Sequence, residues 1–412
     1  MRSTLLPLCF LGGALAARPF LNEPDTGFDA FFADLEPGKL PPLEQLVGLP
    51  DFDAAARRYL ATRNYTYYRN GAAAEWSYRN NLEVFNRYAL RPRTMIDVVN
   101  IESTLPTTIL GHNFSAPFFI APCARGGYGN AEGEKGLVEG AATGDILYIP
   151  SMLSTLNQEQ IAAFRKEDQV TFQQVYLDSN DTLTRQILSD AEKAGTKAFV
   201  FTVDSAADGN RHRAARYGVG SADSSYTLIT WDLYDHLRTL TDLPIVLKGI
   251  QTVEEARLAV EHGVPAIYLS NHGGRQLDGV RSALEVAIEL RREAPEVFDA
   301  LEVWADGGVR YGADVVKLLA LGVRAVGLGR PFMFANVYGT AGVERAIALL
   351  KREVAIDAAN AGIADLHNID PNIVSRFPLP LPFSWLRLVW RGAPRGSLGM
   401  TAARSKSRLT RT

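Results

Sequence analysis

From about residue 107, the apolar and polar positions of the chain alternate between a strand-like pattern and a helical pattern. Short apolar runs typical of strands are separated by segments such as TVEEARLAVEHG and GADVVKLLALG, which have a helical pattern and end at glycine. The apolar runs end near Ala121, Pro150, Val175, Val203, Lys248, Ser270, Ala305 and Gly327. Eight strands alternating with helices predict an α/β fold with a parallel sheet. They favour a closed (β/α)8 TIM barrel over a doubly wound open sheet.

The chain has further segments on either side of this barrel. Residues 18–110 alternate proline-containing segments with helix-like stretches such as DFDAAARRYLA, which predicts an N-terminal helical extension. The predicted barrel occupies residues 111–377. Residues 378–412 start with Pro378, Pro380 and Pro382 and carry seven Lys/Arg and no Asp/Glu from Leu386 onward. We predict a basic, mobile C-terminal tail there, with binding to an acidic surface as the alternative.

The first 17 residues have the pattern of a secretory signal peptide. Arg2 precedes the apolar run LLPLCFLGGALAA, which ends in small residues around Ala14 and Ala16 and is short for a membrane span. We predict that residues 1–17 direct the protein into the secretory pathway or to secretion. A packed or disordered apolar N-terminus is the alternative, and no transmembrane span is expected.

Cysteine use and glycosylation depend on that prediction. Cleavage near Ala16 would remove Cys9 and leave Cys123 as the only cysteine, so the mature chain could form no intramolecular disulfide. The sequence also contains three N-x-S/T sequons, which are glycosylation acceptors in secreted proteins, at Asn64, Asn113 and Asn180.

Composition narrows the function only slightly. With 412 residues, 47% apolar and 22% charged, the chain resembles an ordinary soluble globular protein. Its formal net charge of −3 gives no reason to expect nucleic-acid binding. Individual motifs indicate the function more specifically.

The most informative motif is YLSNHGGRQLDG, residues 268–279, in which an apolar strand end runs into polar side chains and glycines. His272 can accept a proton near neutral pH, and Arg275 offers a planar fork that binds a carboxylate with two hydrogen bonds. A base and a guanidinium on one loop suit a small anionic substrate. A polar loop without chemistry is the alternative for either residue alone.

In a (β/α)8 barrel the carboxyl ends of the strands build the active site, and the loops after strands seven and eight often bind phosphate. Gly307, Gly308 and Arg310 follow the seventh predicted strand, and Gly329 and Arg330 follow the eighth. These two loops therefore predict a phosphate site. Lys248, at another strand end, could pair with a carboxylate, form a Schiff base or neutralise the charge on a reduced flavin.

The motifs SNHGGRQLDG, LKGI, FTVD, ADGGVR and GLGRP resemble those of the FMN-dependent α-hydroxy acid oxidase/dehydrogenase family, from about Ala54 to Ile373. The resemblance implies that FMN is the cofactor. It implies that FMN is bound by Pro122, Cys123, Ala124, Ser151, Gln174, Thr202, Lys248, Ser270, Asp306, Gly307, Gly308, Arg310, Gly329 and Arg330.

The same resemblance assigns the chemistry. His272 would be the base, Asp204 would orient it, and Lys248 would stabilise the anionic reduced flavin. The substrate would be bound by His272 together with Tyr67, Tyr176, Arg211 and Arg275. The implied reaction is oxidation of a 2-hydroxy acid to the 2-keto acid, with O2 or another electron acceptor and no metal site. A homo-oligomer is left open.

The sequence departs from the family pattern in three places, and the last two, Met152 and the lid segment, bear on the substrate. Cys123 stands where the family has threonine, and Met152 stands where it often has tryptophan. The lid segment from Arg211 to Leu243 is shorter than in the family's glycolate oxidases. We therefore predict a substrate bulkier than glycolate. Two alternatives stay open: a (β/α)8 lyase or aldolase that uses Lys248 as a Schiff base, and a catalytically inactive flavin-binding protein.

Overall fold

A computed structural model describes residues 26–220 and 226–376 of the 412-residue chain. The predicted signal peptide, residues 1–17, and the predicted tail, residues 378–412, lie outside the described residues. The same holds for residues 221–225, within the predicted lid segment.

The described part of the predicted extension is largely helical. It contains α1 (Phe28–Phe31), α2 (Leu49–Tyr59), α3 (Thr62–Arg69) and α4 (Trp76–Arg87), followed by the short strand β1 (Tyr88–Leu90). One face of α2 is apolar at helical spacing, and its side chains at Leu49, Phe52 and Ala56 are buried. This extension packs on the barrel that follows.

A small antiparallel hairpin leads into the barrel. It consists of β2 (Thr107–Ile109) and β3 (His112–Phe114), with Thr107 paired to Phe114. Ile109 and Phe114 are buried with residues of the barrel interior, so the hairpin contributes to the barrel's core.

The central sheet is a closed parallel barrel. In the part of the chain that the structure describes, seven strands pair in the order β4-β10-β9-β8-β7-β6-β5. Their bounds are β4 (Phe118–Ile120), β5 (Gln173–Val175), β6 (Phe199–Thr202), β7 (Ile245–Ile250), β8 (Ala266–Leu269), β9 (Glu302–Asp306) and β10 (Ala325–Leu328). Tyr148 closes the remaining gap through parallel bridges to Ile120 and Thr171. The TIM-barrel prediction is thus confirmed, although the predicted second strand is reduced to this bridge.

Helices alternate with the strands. They are α5 (Lys135–Gly144), α6 (Gln158–Ala163), α7 (Asp181–Lys193), α8 (His212–Arg216), α9 (Trp231–Leu237), α10 (Val253–Glu261), α11 (Ala283–Glu293), α12 (Val297–Ala300), α13 (Gly312–Ala320), α14 (Arg330–Ala335) and α15 (Gly339–Asn360). Several begin at a side chain that accepts a hydrogen bond from a backbone N–H of the first turn, which stabilises the helix start: Asn157, Asn180, Thr230, Thr252 and Ser282.

Shorter elements complete the described chain. Turns of 3₁₀ helix occur at Leu43–Gln45, Ile101–Thr104, Gly126–Tyr128, Asn336–Tyr338 and Pro371–Ile373. The last strand, β11 (Val374–Arg376), pairs antiparallel with β1 and so ties the end of the described chain to the helical extension.

Aromatic side chains fill the barrel interior. Phe172 stacks on Trp304 with ring centroids 6.0 Å apart, and Phe119 meets Tyr268 edge to face at 5.5 Å. All four are fully buried. The interior is therefore a packed core, which leaves the carboxyl ends of the strands as the place for a site. No helix among the described residues has both the length and the apolar composition that crossing a membrane requires.

Candidate active site

A cavity of about 350 Å³ opens at the carboxyl ends of the barrel strands. All but two of the predicted site residues line it: Tyr67, Pro122, Cys123, Ala124, Ser151, Gln174, Tyr176, Thr202, Arg211, Lys248, His272, Arg275, Asp306, Gly307, Gly308, Arg310, Gly329 and Arg330. The two exceptions, Asp204 and Ser270, are each bonded to a lining residue. The structure thus brings together side chains that are far apart in sequence.

His272 and Asp204 form a hydrogen-bonded pair in which Nδ1 of the imidazole lies 2.8 Å from Oδ1 of the carboxylate. Burial lowers the pKa of His272 below its usual value, although Asp204 acts in the opposite direction. Burial alone would raise the pKa of Asp204, but its interaction with His272 and the charge of Lys248 outweigh burial and leave that pKa lowered. The pair is therefore a neutral imidazole whose Nδ1–H donates to an ionised carboxylate, which leaves Nε2 free to accept a proton.

The backbone after β8 is held in an unusual conformation to present His272. Its φ is 59°, in the left-handed region that non-glycine residues rarely occupy. The hydroxyl of Ser270 accepts a hydrogen bond from His272 N at 3.0 Å, and the side-chain oxygen of Asn271 accepts one from Gly274 N at 3.0 Å. These two bonds fix the turn that places the imidazole in the cavity.

Lys248 is a buried cation on β7. Its side chain is 4% exposed, and Nζ donates to the hydroxyl of Ser270 at 3.1 Å. That hydroxyl in turn donates to Oδ1 of Asp306 at 2.7 Å. Lys248 forms no ion pair with any described carboxylate, and its hydrogen-bonded connection to Asp306 runs through Ser270. Burying a cation this way favours an anionic partner in the cavity.

Gln174 links two neighbouring strand ends. Its side-chain oxygen accepts hydrogen bonds from the Ser151 hydroxyl at 3.2 Å and from Met152 N at 3.0 Å, while its side-chain nitrogen donates to the Thr202 hydroxyl at 3.0 Å. The result is a polar wall of the cavity, made of amide and hydroxyl groups that can exchange hydrogen bonds with a ligand.

Two arginines also line the cavity. Nε of Arg211 donates to the carbonyl of Arg275 at 3.0 Å, and Nη1 of Arg275 donates to the carbonyl of Tyr67 at 2.8 Å. Burial and the charge of Arg275 lower the pKa of Arg211 to about 10. Burial also raises the pKa of Tyr176, so its hydroxyl remains protonated at neutral pH. The arrangement offers two guanidinium groups and two phenol hydroxyls to a carboxylate.

The two glycine loops after β9 and β10 face the cavity together with the helical extension. A Cβ on Gly308 would lie 1.7 Å from the carbonyl oxygen of Asn81, so only glycine allows α4 to approach this loop so closely. The guanidinium of Arg330 donates to the carbonyls of Tyr68, Gly273 and Asn70 at 2.7–3.0 Å, which joins α3 to the His272 loop. The predicted phosphate role of Arg330 stays a prediction beside this bracing role.

Several residues of the site were not predicted from the sequence. Tyr68, Leu153, Ala207, Asp208 and Thr227 line the cavity. Met152, which stands where the family often has tryptophan, is not among the lining residues. Its sulfur instead accepts a hydrogen bond from Tyr176 N at 3.4 Å, and the neighbouring Leu153 faces the cavity. The direction of each side chain in the loop after Pro150 could not be read from the sequence, because that segment lacks strand periodicity.

Asn81 and Asn271 form a second unpredicted feature. Their side-chain amides donate to each other reciprocally, at 2.8 Å in both directions, and both residues are buried. This pair fastens α4 to the loop that carries His272. Asp278 does the same farther along, since its oxygens accept from Ser77 N at 2.8 Å and Ala74 N at 3.1 Å. The position of Asn271 next to His272 was the only sequence signal for this contact.

Cys123 contributes a neutral thiol to the cavity. Burial raises its pKa to about 11, and a Cβ on Gly329 would lie 2.9 Å from its sulfur. Among the described residues, Cys123 is a free cysteine. The thiol packs against the glycine loop after β10 and is protonated at neutral pH.

These residues fit FMN. A buried lysine without a carboxylate partner suits a ring that becomes anionic on reduction, and the Gln174 wall suits the polar edge of that ring. Gly307, Gly308 and Gly329 leave backbone exposed to the cavity beside Arg310, which suits a phosphate.

Comparison with known proteins agrees with this fit. A family model described as FMN-dependent dehydrogenase matches residues 56–227 and 220–376. The cytochrome-linked L-lactate dehydrogenase of Saccharomyces cerevisiae is 35% identical over 366 residues, covering 81% of this chain and 61% of that protein. Glycolate oxidase 3 of Oryza sativa subsp. japonica is 33% identical, covering 81% of this chain and 97% of that protein. The chain therefore spans about three fifths of the yeast relative's length.

Solved structures show the same likeness in three dimensions. A mutant flavocytochrome b2 with pyruvate bound superposes with a TM-score of 0.78 at 31% identity, covering 92% of this chain and 100% of that one. Mandelate oxidase with (S)-2-phenylpropionate gives a TM-score of 0.74 at 33% identity, covering 81% and 99%. Sequence, fold and site agree, and the chain belongs to the FMN-dependent α-hydroxy acid oxidase family, whose members are oxidoreductases with FMN as cofactor.

Proposed function

We propose that this protein oxidises a 2-hydroxy acid to the corresponding 2-keto acid with bound FMN. The observation that carries the proposal is the His272–Asp204 pair, held at 2.8 Å in a cavity that also presents Arg211, Arg275 and Lys248. A base, a carboxylate clamp and a buried cation are the three protein functions that this reaction requires.

Arg211 and Arg275 would bind the substrate carboxylate. Each guanidinium is already oriented by a backbone carbonyl, so little side-chain freedom is lost when the substrate binds. The hydroxyls of Tyr67 and Tyr176 would donate to the carboxylate or the 2-hydroxyl. A substrate held in this way would have its C2 atom near the imidazole, and orientation of that kind lowers the barrier of the chemical step.

His272 would accept the proton that leaves the substrate during oxidation. Its pKa is lowered by burial, so the imidazole is neutral and its Nε2 is available. Asp204 then stabilises the imidazolium that forms, because its carboxylate keeps the hydrogen bond to Nδ1. FMN, when bound, supplies the acceptor for two electrons. Lys248 would stabilise the negative charge that reduction brings to the cavity.

We propose a substrate larger than glycolate and O2 as the electron acceptor. Leu153, Ala207 and Thr227 also line the cavity, which supports room for a side chain on C2. Relatives named as oxidases, including an L-lactate oxidase of Nostoc sp. that is 34% identical, support O2. We further propose that the signal peptide delivers the enzyme to the secretory pathway.

Anaerobic reduction of the FMN-loaded protein tests the function. Purified protein should show flavin absorbance that bleaches when a 2-hydroxy acid such as lactate, 2-hydroxyoctanoate or mandelate is added, and air should restore it. Larger substrates should have higher kcat/KM than glycolate. Flavin absorbance without bleaching by any of them would support an inactive flavin-binding protein. Trapping of Lys248 by borohydride with a carbonyl substrate would support a Schiff-base lyase.

A further inference from the structure

The cavity wall carries an exposed carboxylate that the proposed reaction does not use. Asp208 lines the cavity beside Ala207 and Thr227. This part of the wall is ordered by backbone pairing, since Ala207 bridges Tyr226 antiparallel and Thr227 N donates to the carbonyl of residue 206 at 2.8 Å. The position of Asp208 is therefore set by the fold and not by a freely moving loop.

The neighbouring Gly209 fixes Asp208 relative to the carboxylate clamp. A Cβ on Gly209 would lie 2.1 Å from the carbonyl oxygen of Arg275, so the segment is pressed against the loop that carries this arginine. Asp208 also acts to raise the pKa of Arg211, against the stronger lowering by burial and by Arg275. The carboxylate thus lies within electrostatic reach of the site that would hold the substrate.

Asp208 differs from the other two carboxylates at the site. Asp306 accepts hydrogen bonds at both of its oxygens, and Asp204 is paired with His272. Asp208 is exposed, and no described residue gives its side chain a hydrogen bond or an ion pair. A carboxylate on the wall of an anion-binding cavity repels a second anionic group and attracts a cationic one.

We propose that Asp208 makes this enzyme selective for 2-hydroxy acids whose far end carries a positive charge or a hydrogen-bond donor, and that it disfavours those with a second carboxylate. The inference rests on the proposed function. One unit charge at contact distance in water-like surroundings changes a binding equilibrium by roughly fivefold. Because of Asp208, kcat/KM should therefore differ by roughly tenfold or more between substrates whose far ends carry opposite charges.

Three five-carbon substrates isolate the effect, because they differ only in the far end: 5-amino-2-hydroxypentanoate, 2-hydroxypentanoate and 2-hydroxyglutarate. The quantity to measure is kcat/KM for 5-amino-2-hydroxypentanoate divided by kcat/KM for 2-hydroxyglutarate, with the FMN-loaded full chain. The ratio should fall roughly tenfold in Asp208→Asn and in Asp208→Leu. It should also fall in high salt, which screens an exposed charge.

The matched control is Asp232→Asn, which removes an exposed carboxylate on α9 away from the cavity and should leave the ratio unchanged. Flavin absorbance verifies that each variant is folded. If wild type oxidises 2-hydroxypentanoate but the ratio is the same in wild type and in both Asp208 variants, the inference about Asp208 is overturned and the proposed function is not. Failure of all three substrates to reduce FMN in the wild type would overturn the proposed function and the inference with it.

Discussion

The backbone of Gly249 lies so close to Asp204 that a Cβ on residue 249 would be 2.6 Å from the Cβ of Asp204. Gly249 has a φ of 114° and sits where the register between β7 and β8 shifts, directly after Lys248. The close approach places Lys248 on β7 next to Asp204, which follows β6.

We predict that Gly249→Ala lowers kcat by at least about tenfold, because the new methyl group displaces Asp204 from the His272 imidazole. The matched control is Gly279→Ala, which also has a positive φ, 86°, but has no atom within 4 Å of the added Cβ. Both variants carry backbone strain, so a loss of activity confined to Gly249→Ala would show that the contact with Asp204 is its cause. Equal kcat in the two variants would contradict this prediction.

His272→Gln should lower the rate of flavin reduction by about 10²–10⁴-fold, the usual contribution of a general base, while FMN stays bound. His236→Gln is the control, since His236 also lies 2.8 Å from a carboxylate, that of Asp181, but on the exposed surface. Stopped-flow measurement of flavin bleaching gives the rate. A normal rate in His272→Gln would refute the assignment of the base.

The His272–Asp204 pair also determines where kcat/KM falls at low pH, on the acid limb of its pH profile. Because burial lowers the pKa of His272, kcat/KM should fall only when the pH drops below the usual value for histidine, about 6.5. Asp204→Asn removes the charge that acts to raise this pKa, so the limb should move to still lower pH while kcat falls. A limb that moves to higher pH in Asp204→Asn would show that another group controls it.

Lys248→Met should weaken FMN binding and lower the flavin midpoint potential. A loss of about 1.4–2.8 kcal/mol of stabilisation of the reduced state corresponds to a drop of about 30–60 mV for a two-electron couple. Lys351→Met is the control, because Lys351 donates to the Ser115 hydroxyl and the carbonyl of Gly144 away from the cavity. An unchanged potential in Lys248→Met would contradict the role of this cation.

The fold and most of the cavity wall could be predicted because they follow from local pattern. Each predicted strand end lies within one or two residues of an observed strand or bridge. Parallel strands in a barrel bring their carboxyl ends to one face, so Gln174, Lys248 and Asp306 meet there although they are distant in sequence.

The supporting contacts could not be predicted, because they join side chains through packing. The reciprocal amide pair of Asn81 and Asn271 crosses 190 positions of the sequence, and neither residue follows a periodic pattern that reveals its partner. The same limit explains why the direction of the Met152 side chain could not be predicted: its sulfur accepts a hydrogen bond from Tyr176 N. The next residue, Leu153, faces the cavity instead.

Glycosylation tests the predicted route into the secretory pathway. Full-length chain expressed in a glycosylating secretory host should be modified at Asn113 and Asn180, which are exposed, and not at Asn64, whose side chain donates to the carbonyl of Tyr128 at 3.0 Å. Mass spectrometry before and after glycan removal gives the sites. An unmodified, intracellular product would contradict the predicted signal peptide. Modification of Asn64 would contradict the expectation that its hydrogen-bonded side chain is not accessible.

Glu353 on α15 makes the stability of the fold depend on pH. Its Oε2 accepts a hydrogen bond from Gly312 N at 3.0 Å, at the start of α13. Burial, together with the charges of Asp357, Asp314 and Asp51, raises the pKa of Glu353 to about 7. The folded state therefore holds a proton that the unfolded chain, with a glutamate pKa of about 4.3, releases. Stability from this group is present below the unfolded value and is lost as the pH rises through 7.

Glu353→Gln should remove this loss, because glutamine keeps an oxygen for Gly312 N and carries no charge. Relative to wild type, the variant should gain about 1–2 kcal/mol in free energy of unfolding at pH 8, a figure reduced for partial exposure, and little at pH 5. Urea unfolding with saturating FMN at both pH values measures the difference. Glu254→Gln, the same change at an exposed position of α10, controls for the substitution. A gain in stability that is equal at pH 5 and pH 8 would mean that the charge of Glu353 is not its cause.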